Sequence, residues 1–294
     1  MTVVARIRTE LRCLVRELGL MNRNCLNSGM TLRQAHILTY LDRNGVTPFF
    51  ELQTQLGMDK ASLSRAITTL SKKGYLNVAQ PPSDRRSRSA AILPQGLTAL
   101  REAETSAHET LDSVLQGFDE KQWIKVSEAL KLLRIAALRN NIKTIPQRVQ
   151  VEPLREQYME QTMLLLKKIF SREQDIPEHL VPVPDGYLPS FWIIRIGEEV
   201  IGVAAAWQDA GQWHWGRFAI DENFRGLRLG KKLARESIAA VFENVTDNIV
   251  IEARDITVGI IKKFGGIQTG PSIDFFGEPV TPMLITKENF KPEE

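Results

Sequence analysis

The chain has 294 residues, 43% apolar and 25% charged, which is ordinary globular composition, with length enough for two domains or one large one and no sign of extended disorder. Its net charge of +3 conceals an asymmetry: residues 1–145 hold 21 Lys/Arg against 13 Asp/Glu, and residues 146–294 hold 17 against 22. A basic half joined to an acidic half implies two units with different partners, nucleic acid being the candidate for the first. No apolar run is long enough to span a bilayer. Arg6, Arg8 and Glu10 interrupt the N-terminus before a signal-peptide core can form, so the expected location is cytoplasmic, with no membrane partner. Cys13 and Cys25 are too few for a disulfide framework or a cysteine-based zinc site, and no metal is expected.

In chain order, Ile7, Leu11, Leu14, Val15 and Leu18 predict an amphipathic helix over about 3–20. Thr31-Leu-Arg-Gln34 reads as a capping box that opens a second helix, which stops near Asn44-Gly45. A short helix with Phe50, Leu52 and Leu56 ends at Gly57. Asp59 then caps a longer helix that Gly74 ends. Tyr75–Val78 and Ala90–Leu93 predict two short strands around the basic tip Asp84-Arg-Arg-Ser-Arg88. Two more helices follow, one with Leu97, Leu100, Leu111, Val114 and Leu115, the other with Trp123, Val126, Leu130 and Leu133. The period is lost over Arg139–Pro146, where a linker is expected, giving domains of 1–145 and 146–294. Beyond it, a helix over 154–171, strands over 191–196, 200–207 and 212–220, a helix over 229–243, a strand over 248–253 and a helix over 255–264 predict an α+β or α/β domain with a mixed sheet. The last strands fall near 267–276 and 280–286.

Two short helices, a longer helix and a basic hairpin make the order of a winged helix-turn-helix. On the long helix Leu63, Ile67 and Leu70 form the apolar face, which leaves Ser62, Ser64, Arg65, Thr68 and Thr69 outward, suited to a major groove. Arg85, Arg86 and Arg88 on the hairpin suit a minor groove and its phosphates, with Asp84 holding one of them in place. The runs Asp59-Lys-Ala-Ser-Leu-Ser-Arg65, Leu70-Ser-Lys-Lys-Gly-Tyr-Leu76, Asp84-Arg-Arg-Ser87 and Leu93-Pro-Gln-Gly96 resemble the MarR regulators, with Pro94 where that family has Thr. The resemblance covers about residues 5–140. It implies a homodimer built from the first helix and the last two, on a pseudo-palindromic double-stranded DNA operator. Peroxide-sensing relatives hold a reactive cysteine where Cys13 stands. The apolar neighbours Leu11, Leu14 and Val15 instead favour an inert thiol.

In the second half, an apolar strand runs through Arg217-Phe-Ala-Ile220 into a turn with Arg225, Gly226, Leu227, Arg228, Leu229, Gly230 and Lys231, then directly into a helix. Free backbone N–H groups at a helix start, approached closely because of glycine, form an anion site, to which Arg225, Arg228, Lys231 and Lys232 add charge. No Gly-Lys-Ser/Thr is present, so this is not a P-loop, and the spacing fails the dinucleotide fingerprint. The segment resembles the GNAT acetyltransferases, whose turn reads Arg/Gln-x-x-Gly-x-Gly/Ala; Arg225 and Gly230 match and Arg228 replaces the middle glycine. Ile249–Arg254 followed by Phe264-Gly265, and Gly277-Glu-Pro-Val-Thr-Pro-Met283, agree with the end of that fold. The resemblance covers about 148–288. It implies a GNAT acyl-CoA N-acyltransferase fold, with acetyl-CoA in a splay between the strands 212–220 and 248–253 and its pantetheine arm on the backbone of Phe218, Ala219 and Ile220. Many members supply a Tyr on the last helix as an acid; Ile261 stands at the matching position here.

Glu252, a carboxylate in an otherwise apolar strand, has two readings: a general base, or a structural ion pair with Arg254 or Arg217. His214 is a second candidate base. Trp192, Trp207, Trp213 and Trp215 fall on three strands as packing residues or pocket walls. Two classes stay open for the second half: an enzyme that acetylates an amine of a small molecule or protein, or an acyl-CoA sensor without turnover that tunes the DNA-binding half through its effector.

Overall fold

The computed structural model describes residues 2–80, 88–183 and 185–292. It divides into two compact units, Met1–Arg134 and Ile135–Glu294.

The first unit begins with α1 (Val3–Glu17), whose N-cap Thr2 accepts the N–H of Ala5. The capping box of α2 (Leu32–Asn44) forms as the sequence predicts: Thr31 Oγ1 accepts from the N–H of Gln34 at 3.2 Å, and Gln34 Oε1 from the N–H of Thr31 at 3.0 Å. After β1 (Thr47–Pro48), α3 (Phe49–Leu56) ends at Gly57 in the left-handed region. Asp59 caps α4 (Lys60–Lys72), accepting the N–H of Ser62 at 2.8 Å. The hairpin strands β2 (Leu76–Ala79) and β3 (Ser89–Ile92) join β1 in an antiparallel sheet ordered β1-β3-β2. α5 (Pro94–Leu115) follows, with Pro94 in its first turn and no side-chain cap from Leu93. Gly96 is required there, because a Cβ would lie 2.0 Å from the carbonyl oxygen of Tyr75.

Ile37, Leu38, Leu41, Leu52, Leu63, Ile67 and Leu70 fill the core of this unit. The apolar residues of α1, among them Val4, Ile7 and Leu14, stay exposed, and so do Leu130 and Leu133 of α6 (Glu120–Thr144). α6 runs unbroken through most of the segment expected to be a linker, and crosses the division between the units. Ile142 near its end is buried in the main core of the second unit, which supplies the packing that holds this aperiodic stretch helical.

The second unit contains β4 (Val149–Pro153), α7 (Met159–Lys167), β5 (Ser190–Ile196), β6 (Glu199–Asp209), β7 (Gln212–Ile220), α8 (Leu229–Asn244) and β8 (Asn248–Ala253). α9 (Asp255–Lys263), β9 (Ile267–Gln268), β10 (Ile273–Phe275) and β11 (Glu278–Thr286) complete it. The sheet runs β10-β11-β8-β7-β6-β5-β4, with β9 paired to β11. β4 has no counterpart in the sequence reading. The helix expected over 154–171 is instead a short turn, α7, and a widened helical segment over 168–173.

Alternation along β8 buries Ile249, Ile251 and Ala253 in one core with Leu233, Ile238, Ile261 and Met283. Tyr158, Leu166, Ile193 and Val203 belong to a second core, on the α7 side. Arg195 of β5 is 0% exposed and forms a two-pronged pair with Glu152 of β4, at 2.8 and 3.2 Å.

Two features of the sheet make the site. β7 and β8 pair in parallel, in register only at His214 and Val250, and then diverge. β7 also carries a bulge against β6: Ala205 faces Gly216 and Val203 faces Ala219, so Arg217 and Phe218 stand opposite Ala204 alone, with Arg217 at φ 48°.

Candidate functional site

On α4, Ser64, Arg65, Thr68 and Thr69 are exposed. The Thr68 hydroxyl donates to Ser64 O and the Thr69 hydroxyl to Arg65 O, which leaves the oxygens' lone pairs outward. Ser62 departs from its expected outward position. It is 8% exposed, because it lies on the flank of the apolar stripe, and its Oγ accepts from Arg65 Nη2 at 3.2 Å. Ser62 therefore braces the exposed arginine from within. On the hairpin, Arg88 is exposed and stacks over the ring of Phe49 at 4.8 Å, while its carbonyl accepts the Phe49 N–H. Arg85, Arg86 and Asp84 lie outside the described residues.

The second unit holds a cleft of about 1090 Å³ where β7 and β8 part. One end of it is the turn between β7 and α8. Arg228, the residue before α8, takes φ 61° and gives no side-chain cap. The N–H groups of Leu229, Gly230 and Lys231 thus have no acceptor among the described residues, as at any uncapped helix start. A Cβ on Gly230 would sit 3.2 Å from Phe218 Cζ and 3.6 Å from Ile220 Cγ1. The side chain of Leu229 is buried, so it can offer only backbone to a ligand, and the half-buried Leu227 packs against the same core. Ala219 is buried, and Phe218 lies 5.0 Å from Trp215 between ring centroids. The β8-facing edge of Phe218–Ile220 lies beyond the last paired position.

The cations around this turn differ in availability. Arg225 donates to Ile220 O at 3.0 Å and pairs with Glu173 at 2.6 Å, so it fixes the turn rather than standing free for a phosphate. Lys232 donates to Val149 O. Arg228 is exposed, and Lys231 reaches over the Phe264 ring at 5.9 Å.

At the other end, Glu252 is exposed on β8 and lines the cleft, with no hydrogen bond or ion pair among the described residues. Arg217 donates to the carbonyls of Leu180 and Pro182 at 3.0 and 3.4 Å and lies over Trp207. Burial pushes its guanidinium below the ordinary arginine value, and the charge of Glu252 opposes that shift. Arg254 donates to Glu278 O at 2.6 Å and lies over Phe275. His214 stacks on Trp207, with centroids 5.7 Å apart. Of the two ion-pair partners expected for Glu252, Arg254 is anchored elsewhere and Arg217 acts on it only at longer range.

Residues 30–87 match the MarR family model, and residues 154–265 match the acetyltransferase (GNAT) family model. The chain joins a MarR-family domain to a GNAT-family domain. Among solved structures, Escherichia coli ElaA is 16% identical, with 46% of this chain and 98% of that one covered and a TM-score of 0.42. BpsR of Bordetella bronchiseptica, described in terms of regulation of its DNA binding by 6-hydroxynicotinic acid, is 20% identical over 44% of this chain and 98% of its own, with a TM-score of 0.38. A MarR-family transcriptional regulator from Rhodococcus sp. RHA1 is 15% identical over 45% and 95%, with a TM-score of 0.39. No curated protein matches the chain.

Within the GNAT domain, Ile261 is 0% exposed and packs in the core. The α9 side chains that line the cleft include Thr257, Ile260 and Lys263, and α9 contains no tyrosine. The sequence gives Arg217 and Arg254 no ligand-binding role, only places in strand runs and as ion-pair partners of Glu252. The bulge that turns Arg217 into the cleft leaves no mark on the residue pattern. Among the described residues no group of His, Cys, Asp and Glu could hold a metal ion, and no helix is long and apolar enough to cross a membrane. Cys25 is buried, which pushes its thiol up, and Cys13 is half-buried.

Proposed function

We propose that the chain is a dimeric, DNA-binding transcription regulator of the cytoplasm whose GNAT domain transfers an acetyl group from acetyl-CoA to an amine. The carrying observation is the uncapped start of α8 beside diverging β7 and β8. It offers three free N–H groups, a glycine that admits close approach and the half-free cations Arg228 and Lys231. These fit a pyrophosphate, and the unpaired edge of Phe218–Ile220 fits an extended amide-bearing arm. A bound acyl-CoA supplies a thioester, whose C–S bond breaks as the amine forms its C–N bond. Glu252, free of ion pairs and lining the cleft, accepts the proton of the incoming ammonium. The MarR domain supports operator binding through Ser64, Arg65 and Thr68 in a major groove and Arg88, with Arg85 and Arg86, beside it.

A second reading, an acyl-CoA sensor, draws on α6. Arg139 in its last turns donates to the carbonyl of Asn223, in the segment leading to the phosphate turn. Titrating the full chain with acetyl-CoA, then assaying thiol release over a panel of amines, tests the first reading. Saturable binding with amine-dependent release is expected. Binding without release, together with operator affinity that changes on acetyl-CoA addition, would replace it with the second.

A further inference from the structure

Among the described residues of the GNAT domain, Arg155 and Arg195 pair with Glu152, Arg225 with Glu173 and Arg235 with Glu236. Arg217 and Arg254 are treated differently. Each is held by neutral carbonyls and an aromatic ring: Arg217 by Leu180, Pro182 and Trp207, Arg254 by Glu278 O and Phe275. Neither has a carboxylate within ion-pair distance among the described residues. Each also keeps a buried N–H with no acceptor, Nε of Arg217 and Nη2 of Arg254. Both line the cleft that Glu252 lines. Two pinned, half-buried cations with no carboxylate in ion-pair distance are unfavourable unless something brings them an anion.

The phosphates of the acyl donor are poorly placed to be that anion. Their turn follows Ile220, and the unpaired edge Phe218–Ile220 separates it from Arg217 by about 10 Å at the rise of an extended strand. The anion must then come from the acceptor. An acceptor with only positive groups, such as a polyamine or a lysine side chain, would face two like charges and one carboxylate. A molecule with one ammonium and one carboxylate matches all three.

We propose that the acceptor is an amino acid or a similar zwitterion, its carboxylate read by Arg217 and Arg254 and its amine directed to Glu252. The inference rests on the acetyl-transfer reading and names its substrate class. Glu252 takes one proton from the ammonium, and the freed lone pair forms the C–N bond as the C–S bond breaks. The departing thiolate takes the second nitrogen proton, and Glu252 returns the first to water, so one proton is released per turnover. The stacked Trp207 and His214 give the same cleft an aromatic wall for the rest of the molecule.

The test is calorimetry on the full chain saturated with CoA, comparing phenylalanine with phenethylamine and lysine with cadaverine. The carboxylate-bearing member of each pair should bind about tenfold tighter or more, the effect of a charge-assisted hydrogen bond. That advantage should vanish in Arg217→Gln and Arg254→Gln and survive in part in Arg217→Lys and Arg254→Lys, with CoA affinity unchanged in all four. Retained CoA affinity reports that the variants are folded. Equal or tighter binding of the decarboxylated amines, no binding of either member, or variants that keep full discrimination would overturn the proposal while leaving CoA binding intact. Failure of the wild type to bind CoA would instead sink the acetyl-transfer reading, and this inference with it.

Discussion

Gly230, in the first turn of α8, lies so close to Phe218 on β7 that a Cβ there would sit 3.2 Å from the ring. Gly230→Glu therefore acts twice: it crowds that ring, and it places a carboxylate where phosphates are expected. Acetyl-CoA affinity should fall by about 100-fold or more, the sum of lost backbone approach and new repulsion. Gly230→Ala, which adds only the tight Cβ, should lose less. Operator affinity should be unchanged in both. Titration of each variant with acetyl-CoA checks this, and equal affinity in all three proteins would remove the turn from the site.

Glu252 of β8 is exposed and lines the cleft, with no ion pair among the described residues. Glu252→Gln keeps its shape and removes its ability to take a proton. The acetylation rate should drop by about 100-fold or more, the usual size of a general-base contribution, while acetyl-CoA affinity stays the same. Single-turnover rates over a pH series would read this, and an unaltered profile would pass the role to His214.

The buried pair of Arg195 and Glu152 ties β5 to β4. Glu152→Ala leaves a guanidinium without its acid at 0% exposure, which should cost the GNAT domain about 3–5 kcal/mol. Glu152→Ala combined with Arg195→Met should regain most of that, since replacing a buried pair by apolar groups is often neutral. Denaturant melts followed by tryptophan fluorescence measure both.

Arg65 and Arg86 should fail differently. Arg65, held by Ser62 on the exposed face of α4, is the proposed reader of a base edge, so Arg65→Ala should relax sequence preference by about 1–3 kcal/mol. Arg86→Ala should weaken binding to all sequences alike and lower the salt slope by about one. Mobility-shift titrations at several salt concentrations separate them, and unchanged affinity in Arg86→Ala would remove the hairpin from the interface.

Leu130 is 51% exposed on α6, beside Leu133 at 40%. These residues and the uncovered apolar residues of α1 are expected to meet a second copy. Leu130→Asp with Leu133→Asp should convert a dimer to a monomer in sedimentation equilibrium and weaken operator binding. A wild-type monomer would contradict the assembly, and a dimer in the double variant would place the interface elsewhere.

The local grammar was readable from residues alone. Thr31 and Gln34 form their box, Asp59 caps α4, Gly57 ends α3, and the period along α8 and β8 marks which side chains enter the core. These depend on neighbours within a few positions, so the chain states them directly. Relations between distant segments were not readable. Ser62 looked outward because helix periodicity does not say how wide the buried stripe is, and packing on that flank decided it. The stretch from Arg139 looked like a linker because its helix is held by Ile142 in a core formed from remote strands. Arg225 looked free for phosphate until Glu173, 52 positions earlier, was placed beside it. Ile261 looked like an empty catalytic position, but one step of helix rotation puts Ile260 on the cleft and Ile261 in the core. Sequence by itself determined that the chain has a basic half in winged-helix order and a second half with a glycine-bearing strand-turn-helix, where an anion is expected, because caps, glycines and hydrophobic period act over one or two turns. Only the tertiary structure decided which charges are neutralised and which remain open, because that depends on partners tens of residues away and on a bulge that turns Arg217 toward the cleft.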